Sequence, residues 1–364
     1  MRFGLSGCGG GFESADVRSL TSFARTAEQL GFHGIWINEE HFQGPIGGKG
    51  RLCLSPVVLA AALASQTQRI RIGFSVLLLP LHHPLRLAEE LATLDVLSGG
   101  RVDFGVSRGG NPGYSEAYGV EPSRGRETFE ASLRFMLQCW GDGELRIGSG
   151  SYAVMPKPVQ RPHPPIYIGT YNEDTAKWIG RNGYSLIQHG IQSLPNVRRI
   201  MHAYTAEGGL ASQVPLGRFV YVSESDESAR RELGPVVLDL IERLRRAGVP
   251  ARPGTLTEAD LEPNRFYEEM IIAGSPTTCV SKIATLQDSL HVEYVNCLTS
   301  FFGFLPHERL RQSLLLFANE VMPHFPSPIT SDDDCCCGLR NKHDESTSNI
   351  MISSDMHEKG VERK

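Results

Sequence analysis

The sequence predicts an α/β protein: a (β/α)8 barrel with insertions and a disordered C-terminal tail. Two observations carry this. Short apolar runs alternate with longer amphipathic stretches along most of the chain, and the runs number about eight. A doubly wound sheet would instead want a G-x-G-x-x-G turn after its first strand, with an acid at the end of the second. "GCGGGFES" is glycine-rich there but lacks that pattern.

Taken in order, "RFGLSG" is the first strand. "ADVRSLTSFARTAEQLG" places Val17, Leu20, Phe23, Ala24, Ala27 and Leu30 on one helical face and stops at Gly31. "GIWIN" is the next strand. Ser55 is expected as N-cap and Pro56 as first helical residue of "PVVLAAALASQT". "IRIGFSVLLLP" is nearly continuous in apolar character, as for a strand buried on both faces. "HPLRLAEELATLDVLSGG" aligns Leu87, Leu91 and Leu94, with Gly99 and Gly100 as terminator. "RVDFGVSRG" is a strand and "RETFEASLRFMLQCW" a helix. "PPIYIGT", "YSLIQHG" and "GRFVYVSES" are strands, separated by helices in "EDTAKWIGRNG" and "NVRRIMHAYTAEG". A long helix spans 227–247. "PTTCVSKIATLQDSL" is a helix, "VEYVNCLTS" a strand and "PHERLRQSLLLFANEVM" the closing helix.

Three segments break the rhythm. Residues 140–161 are polar and glycine-rich, with a small hairpin expected in "ELRIGSGSYAVMP". Residues 248–273 are Pro-rich and acidic, and are expected as an insertion over one end of the barrel. From Pro326 the chain holds few large apolar residues and much Ser, Asp and Lys. The expected organisation is a barrel domain over 1–325 and a disordered tail over 326–364. Cys335, Cys336 and Cys337 lie in that tail. No histidine or spaced cysteine completes a metal site there, and the end is no C-a-a-X box.

Composition narrows the function classes. Forty per cent apolar and 21% charged residues suit a soluble globular protein. A formal net charge of −5 gives no basic field for nucleic acid or anionic lipid. No apolar run is long enough to span a bilayer, and the start lacks the pattern of a signal peptide. Scattered single cysteines without C-x-x-C pairs suit a reducing compartment, so a cytoplasmic location is expected.

In such a barrel, chemistry gathers at the carboxyl ends of the strands. Four polar stretches fall there: Asn38–His41, Pro80–Pro84, Ser107–Asn111 and Gly169–Asn172. Arg108, between a strand and two glycines, suits an anion clamp. Thr170, Asn172 and Thr175 at a helix start suit a phosphate. A metal centre is not expected, because no histidine pair sits at i, i+4. The competing readings are bland. Asn172 is then a plain helix cap, Arg108 a partner of Asp103 or Glu116, and His82–His83 a polar loop before a Pro-led helix. In extended backbone Glu39 and His41 share one side and Glu40 takes the other. A Glu39–His41 pair follows, with the acid orienting the ring. Glu40, in a water-poor pocket, would have its pKa raised toward neutrality.

The stretches "AEQLGFHGIWINEEHF", "RIRIGFSVLLLPLHHPLRLAEELATLDVLSGGRVDFGVSRGG", "EAYGVEP" and "FANEVMPHF" resemble the bacterial luciferase-like flavin-dependent monooxygenase family. The resemblance covers roughly residues 1–325, with gaps at the insertions. It implies a TIM barrel that binds reduced FMN, supplied by a separate flavin reductase. Reaction with O2 through a C4a-peroxyflavin would then oxygenate a small organic substrate. It places the flavin phosphate on Arg108, Tyr171, Asn172 and Thr175. It also puts a non-proline cis peptide at Ser75–Val76, under the flavin ring, with Ser107 alongside. His41, Glu39, Glu40 and His83 are the implied catalytic candidates, His41 foremost. Two departures argue against light emission. Glu40 stands where luciferase has its important histidine, and Ser107 where luciferase has a reactive cysteine. A homodimer packed through early helices is the family's commoner state. Two alternatives stay open: an F420-dependent dehydrogenase or reductase on the same barrel, and a non-catalytic flavin-binding protein.

Overall fold

The computed structural model describes residues 1–7, 10–13, 17–42, 51–121 and 125–326. The chain opens with β1 (Arg2–Ser6), β2 (Gly10–Glu13), α1 (Val17–Gln29), β3 (Gly34–Ile37) and β4 (Arg51–Cys53). Next come α2 (Pro56–Ala64), β5 (Arg71–Phe74), β6 (Leu77–Leu78), α3 (Pro84–Ser98) and β7 (Val102–Ser107). Helices α4 (Pro112–Ala117) and α5 (Gly125–Trp140) precede a hairpin of β8 (Leu145–Ile147) and β9 (Gly150–Tyr152). Then follow β10 (Ile166–Gly169), α6 (Glu173–Arg181), β11 (Ser185–Ile187), α7 (Leu194–Thr205) and β12 (Pro215–Val222). The chain closes with α8 (Asp226–Arg246), α9 (Pro263–Met270), β13 (Ile271–Gly274), α10 (Pro276–Leu290), β14 (Tyr294–Leu298) and α11 (His307–Leu316).

One parallel sheet runs β11-β10-β7-β5-β3-β1-β14-β12-β13, and β6 extends it along β7. Crossover helices cover its outer face, as parallel strands require. The sheet is curled: a parallel bridge joins Gln188, just past β11, to Leu216 of β12. Gly217 N–H donates to Gln188 O at 2.8 Å beside it. Inside the curl sits a cluster of Trp36, Tyr167, Ile187 and Tyr294, with Val76 packed on it. Trp36 Nε1–H donates to Tyr294 Oη at 2.8 Å, so the buried indole leaves no unpaired donor. The larger apolar core lies between sheet and helices. At the other end of the strands, Arg71 pairs with buried Asp103 at 2.7 Å. The Met1 ammonium donates to Pro326 O at 2.9 Å, bringing both ends of the described chain together.

Several expectations are met locally. Gly99 ends α3 in the left-handed region at φ 70°. The Ser75–Val76 peptide is cis. The β8–β9 hairpin forms. Others need correction. The "IRIGFSVLLLP" strand is broken: β5 stops at Phe74 and β6 is a separate two-residue strand on β7. Ser55 holds the N-cap position of α2, but its side chain makes no capping bond. Residues 248–273 are more than an insertion. They contain α9 and then β13, which pairs with β12 from Phe219 to Val222. The glycine-rich start contributes β2, antiparallel to β4. The expected disordered tail beyond Pro326, with Cys335, Cys336 and Cys337, lies outside the described residues.

The break after β5 sets a demanding contact. A Cβ on Gly105 would lie 1.6 Å from the carbonyl oxygen of Phe74. Only glycine lets β7 pass that close. Gly105→Ala is therefore expected to cost at least about 3 kcal/mol, read as a lowered urea midpoint. Gly110→Ala, with open space around it, is the near-neutral control.

Candidate active site

Parallel strands deliver their carboxyl ends to one face, and there a slot opens. β1 contributes Ser6, the β5–β6 break contributes Ser75 and Val76, and β7 contributes Ser107. Gly169 and Tyr171 come from the end of β10, Gln188 and His189 from just past β11, and Asn296 from β14. Ser6 Oγ and Ser75 Oγ lie 3.1 Å apart, sharing one hydrogen bond. Several polar atoms remain buried without a hydrogen-bond partner: both side-chain heteroatoms of Gln188, His189 Nδ1 and Asn296 Oδ1. Burial pushes His189 down to about 4, so its imidazole is neutral. Burial also pushes the Tyr171 phenol up to about 12.

Arg108 follows Ser107 at the rim. It is exposed and has no ion-pair partner among the described residues. The Asp103 partnership read from sequence does not form, because Arg71 occupies that carboxylate. Gly109 next to it has φ 76°, and its N–H donates to Ser107 Oγ at 3.1 Å. Across the rim, Asn172 does cap α6: its Oδ1 accepts from Thr175 N–H at 2.9 Å. Thr170 Oγ1 accepts from Asn172 N–H at 3.0 Å.

Beside the slot lies the acid–imidazole cluster. Glu39 is buried at 6% exposure. Its Oε1 accepts from His41 Nε2 at 2.8 Å and from His82 Nε2 at 2.9 Å. Its Oε2 accepts from Leu78 N–H at 2.6 Å. Burial pushes the carboxyl up, but the His82 and Leu78 bonds, with His41, outweigh it and hold it below the ordinary value. His41 Nδ1 lies 3.0 Å from Tyr118 Oη. The His41 ring also packs against Tyr114 and Tyr118, at 5.2 and 4.9 Å between centroids.

Glu40 points elsewhere, as the alternation of the chain requires. Burial raises its pKa against the opposing charge of Arg243 and a bond with Asn38. Its Oε2 is 3.8 Å from Arg243 Nη2, too long for a hydrogen bond, and has no hydrogen-bond partner. Arg243 in turn lies over the Phe302 ring at 5.1 Å.

The structure thus brings Ser75, Val76, Ser107 and Tyr171 into the slot and pairs Glu39 with His41. Arg108, Asn172 and Thr175 flank the rim. His83 sits exposed at the N-cap of α3, outside the hydrogen bonds around Glu39. Sequence reasoning missed the second imidazole on Glu39, His82. The doubled histidine was visible, but which one turns inward is set by the helical turn over Leu79–Leu81. Asn296 was also missed, although a polar residue inside the apolar run "YVNCL" is a usable signal.

The chain belongs to the luciferase-like monooxygenase family, whose model matches residues 3–292. It is 25% identical over 353 residues to the oxygenase component of the flavin-dependent trigonelline monooxygenase of Acinetobacter baylyi. That match covers 84% of this chain and 89% of the relative. The fold is similar to the oxygenating constituent of 3,6-diketocamphane monooxygenase of Pseudomonas putida, solved with FMN. There the TM-score is 0.74 at 20% identity, over 90% of this chain and 100% of that one. It is also similar to the coenzyme F420-dependent tetrahydromethanopterin reductase of Methanopyrus kandleri. That TM-score is 0.64 at 20% identity, over 89% of this chain and 99% of that one. No helix among the described residues is long and apolar enough to cross a membrane.

Glu39 generates a prediction. Its pKa is depressed on folding, so the unfolded chain binds more protons in the acid range. Its stabilisation is complete above the ordinary value of 4.5 and is lost as pH falls through the folded value. Glu39→Gln is expected to cost about 2 kcal/mol at neutral pH. It should also flatten the acid limb of a stability-against-pH curve measured by urea unfolding.

Proposed function

We propose that this protein is an FMN-dependent monooxygenase that takes reduced flavin from a separate reductase and oxygenates a small organic substrate. The observation that carries this reading is Arg108: an exposed guanidinium without an ion-pair partner among the described residues, one residue beyond the slot. A dianionic phosphate satisfies such a group, with the Thr170 and Thr175 hydroxyls and the start of α6 opposite it. The slot's lining also supports a flavin ring as its occupant. The slot is flanked by glycines and by the Ser75–Val76 bond, and its unpaired Gln188 and Asn296 groups match a ring edge rich in carbonyl and N–H groups.

Bound reduced flavin would supply the electrons that activate O2. The chain's own residues bind, orient and exclude water. Arg108 anchors, Val76, Ile187 and Leu298 form an apolar wall, and the Ser6–Ser75 pair offers a hydroxyl donor. Glu39 holds two imidazoles beside the slot, His41 and His82, and burial raises the pKa of Glu40. Residues 248–273 contribute nothing to the slot lining, which favours an enzyme over a blocked flavin-binding relative. The Gln188–Leu216 bridge supports reading the curled sheet as a closed eight-stranded barrel. Exposed Val58, Val96 and Leu97 on α2 and α3 support a homodimer through these helices. Buried free Cys139, Cys279 and Cys297 suit a cytoplasmic enzyme. Glu40 and Ser107 support an oxygenase that emits no light.

Two measurements test this. On rapid mixing with reduced FMN and air, slow return of the oxidised-flavin spectrum with delayed peroxide release is expected. Immediate release of both, together with tight F420 binding, would replace oxygenation by hydride transfer. Arg108→Ala is expected to weaken FMN binding by at least ~1.5 kcal/mol, about tenfold, by fluorescence titration. Unchanged affinity would remove Arg108 from the phosphate site.

A further inference from the structure

We propose that His82, and not His41, is the imidazole that exchanges protons beside the slot, with Glu39 as its positioning residue and Tyr118 engaging the remaining nitrogen of His41. The argument is a count of hydrogen-bonding atoms. Glu39 sits below the usual carboxylate range and accepts bonds from His82, Leu78 and His41. As a carboxylate it can only accept, so both facing Nε2 atoms carry protons. His41 then has one nitrogen left, and Nδ1 meets the Tyr118 hydroxyl at 3.0 Å. In the neutral ring Nδ1 accepts from that hydroxyl; in the charged ring it donates to it. Either way both nitrogens of His41 are engaged.

His82 spends only Nε2, at 2.9 and 3.0 Å from the two Glu39 oxygens. Its Nδ1 has no hydrogen-bond partner among the described residues, and the side chain is 23% exposed. Glu39 orients this ring as it orients His41, yet only His82 offers a basic nitrogen outward. The turn carrying His82 follows directly from Val76 of the slot wall and Leu78, whose N–H fixes Glu39. With Glu39 ionised and both rings neutral, the unit carries one negative charge. One proton on His82 Nδ1 makes it neutral; a second would leave it positive in a half-buried place. The step is a single proton transfer. An N–H bond forms at Nδ1 as the bond to the donor breaks, and no electrons change hands.

The use of this proton rests on the flavin reading; the count of nitrogens does not. The test therefore has two parts. The full-length protein, without flavin, is labelled with diethylpyrocarbonate near neutral pH, and the modified histidines are mapped by mass spectrometry. His82 is expected to label several times faster than His41. Tyr118→Phe, which keeps the ring, should bring His41 up toward the rate of His82. Next, peroxide release from reduced FMN in air is followed in His82→Ala and His41→Ala, each with and without added imidazole. Rescue by imidazole in His82→Ala alone supports the proposal. Equal or faster labelling of His41 in the wild type overturns it, as does rescue confined to His41→Ala. If FMN does not bind, the flavin reading falls and the labelling pattern alone decides the assignment.

Discussion

A carboxylate removed from water must be surrounded by donors, and at Glu39 that requirement organises the whole face of the protein. The donors come from three separate places: His41 beyond β3, Leu78 in β6 and His82 in the following turn. Through His41 the chain of bonds reaches Tyr118, at the end of α4. The arginine turn lies between β7 and α4. It is therefore held on one side by the sheet and on the other by a network that begins at Glu39. Few of these contacts are near in sequence.

The adjacent pair Glu39 and Glu40 shows how little composition says about chemistry. The pleat sends one carboxyl among N–H donors, which favour its charge. It sends the other toward Arg243 at a distance too long for a hydrogen bond, where burial disfavours the charge. The two neighbouring carboxyls are thus shifted in opposite directions, Glu39 down and Glu40 up.

The fold was largely legible because its signals are local. Gly99 stops α3, and the apolar runs of β1, β3, β7, β10, β12 and β14 fall where alternation puts them. What could not be read arises from contacts across the sheet. "IRIGFSVLLLP" reads as one strand, since its apolar character continues through a break at Ser75 that leaves no mark in hydropathy. β13 was hidden in a Pro-rich segment because its pairing to β12 is distant in sequence. The site divided the same way. The Glu39–His41 pair follows from the two-residue strand period, so it was readable. The choice of His82 over its neighbour depends on one turn's direction. The orphaned groups of Gln188 and Asn296 appear only when the strands are assembled.

The bond from the Met1 ammonium to Pro326 places both ends of the described chain beside each other, at the amino ends of the strands. The slot opens at the opposite end. Because the ends are neighbours, a short linker between residues 1 and 326 would create a circular permutant whose new termini could be opened in a surface loop, leaving the strand order intact.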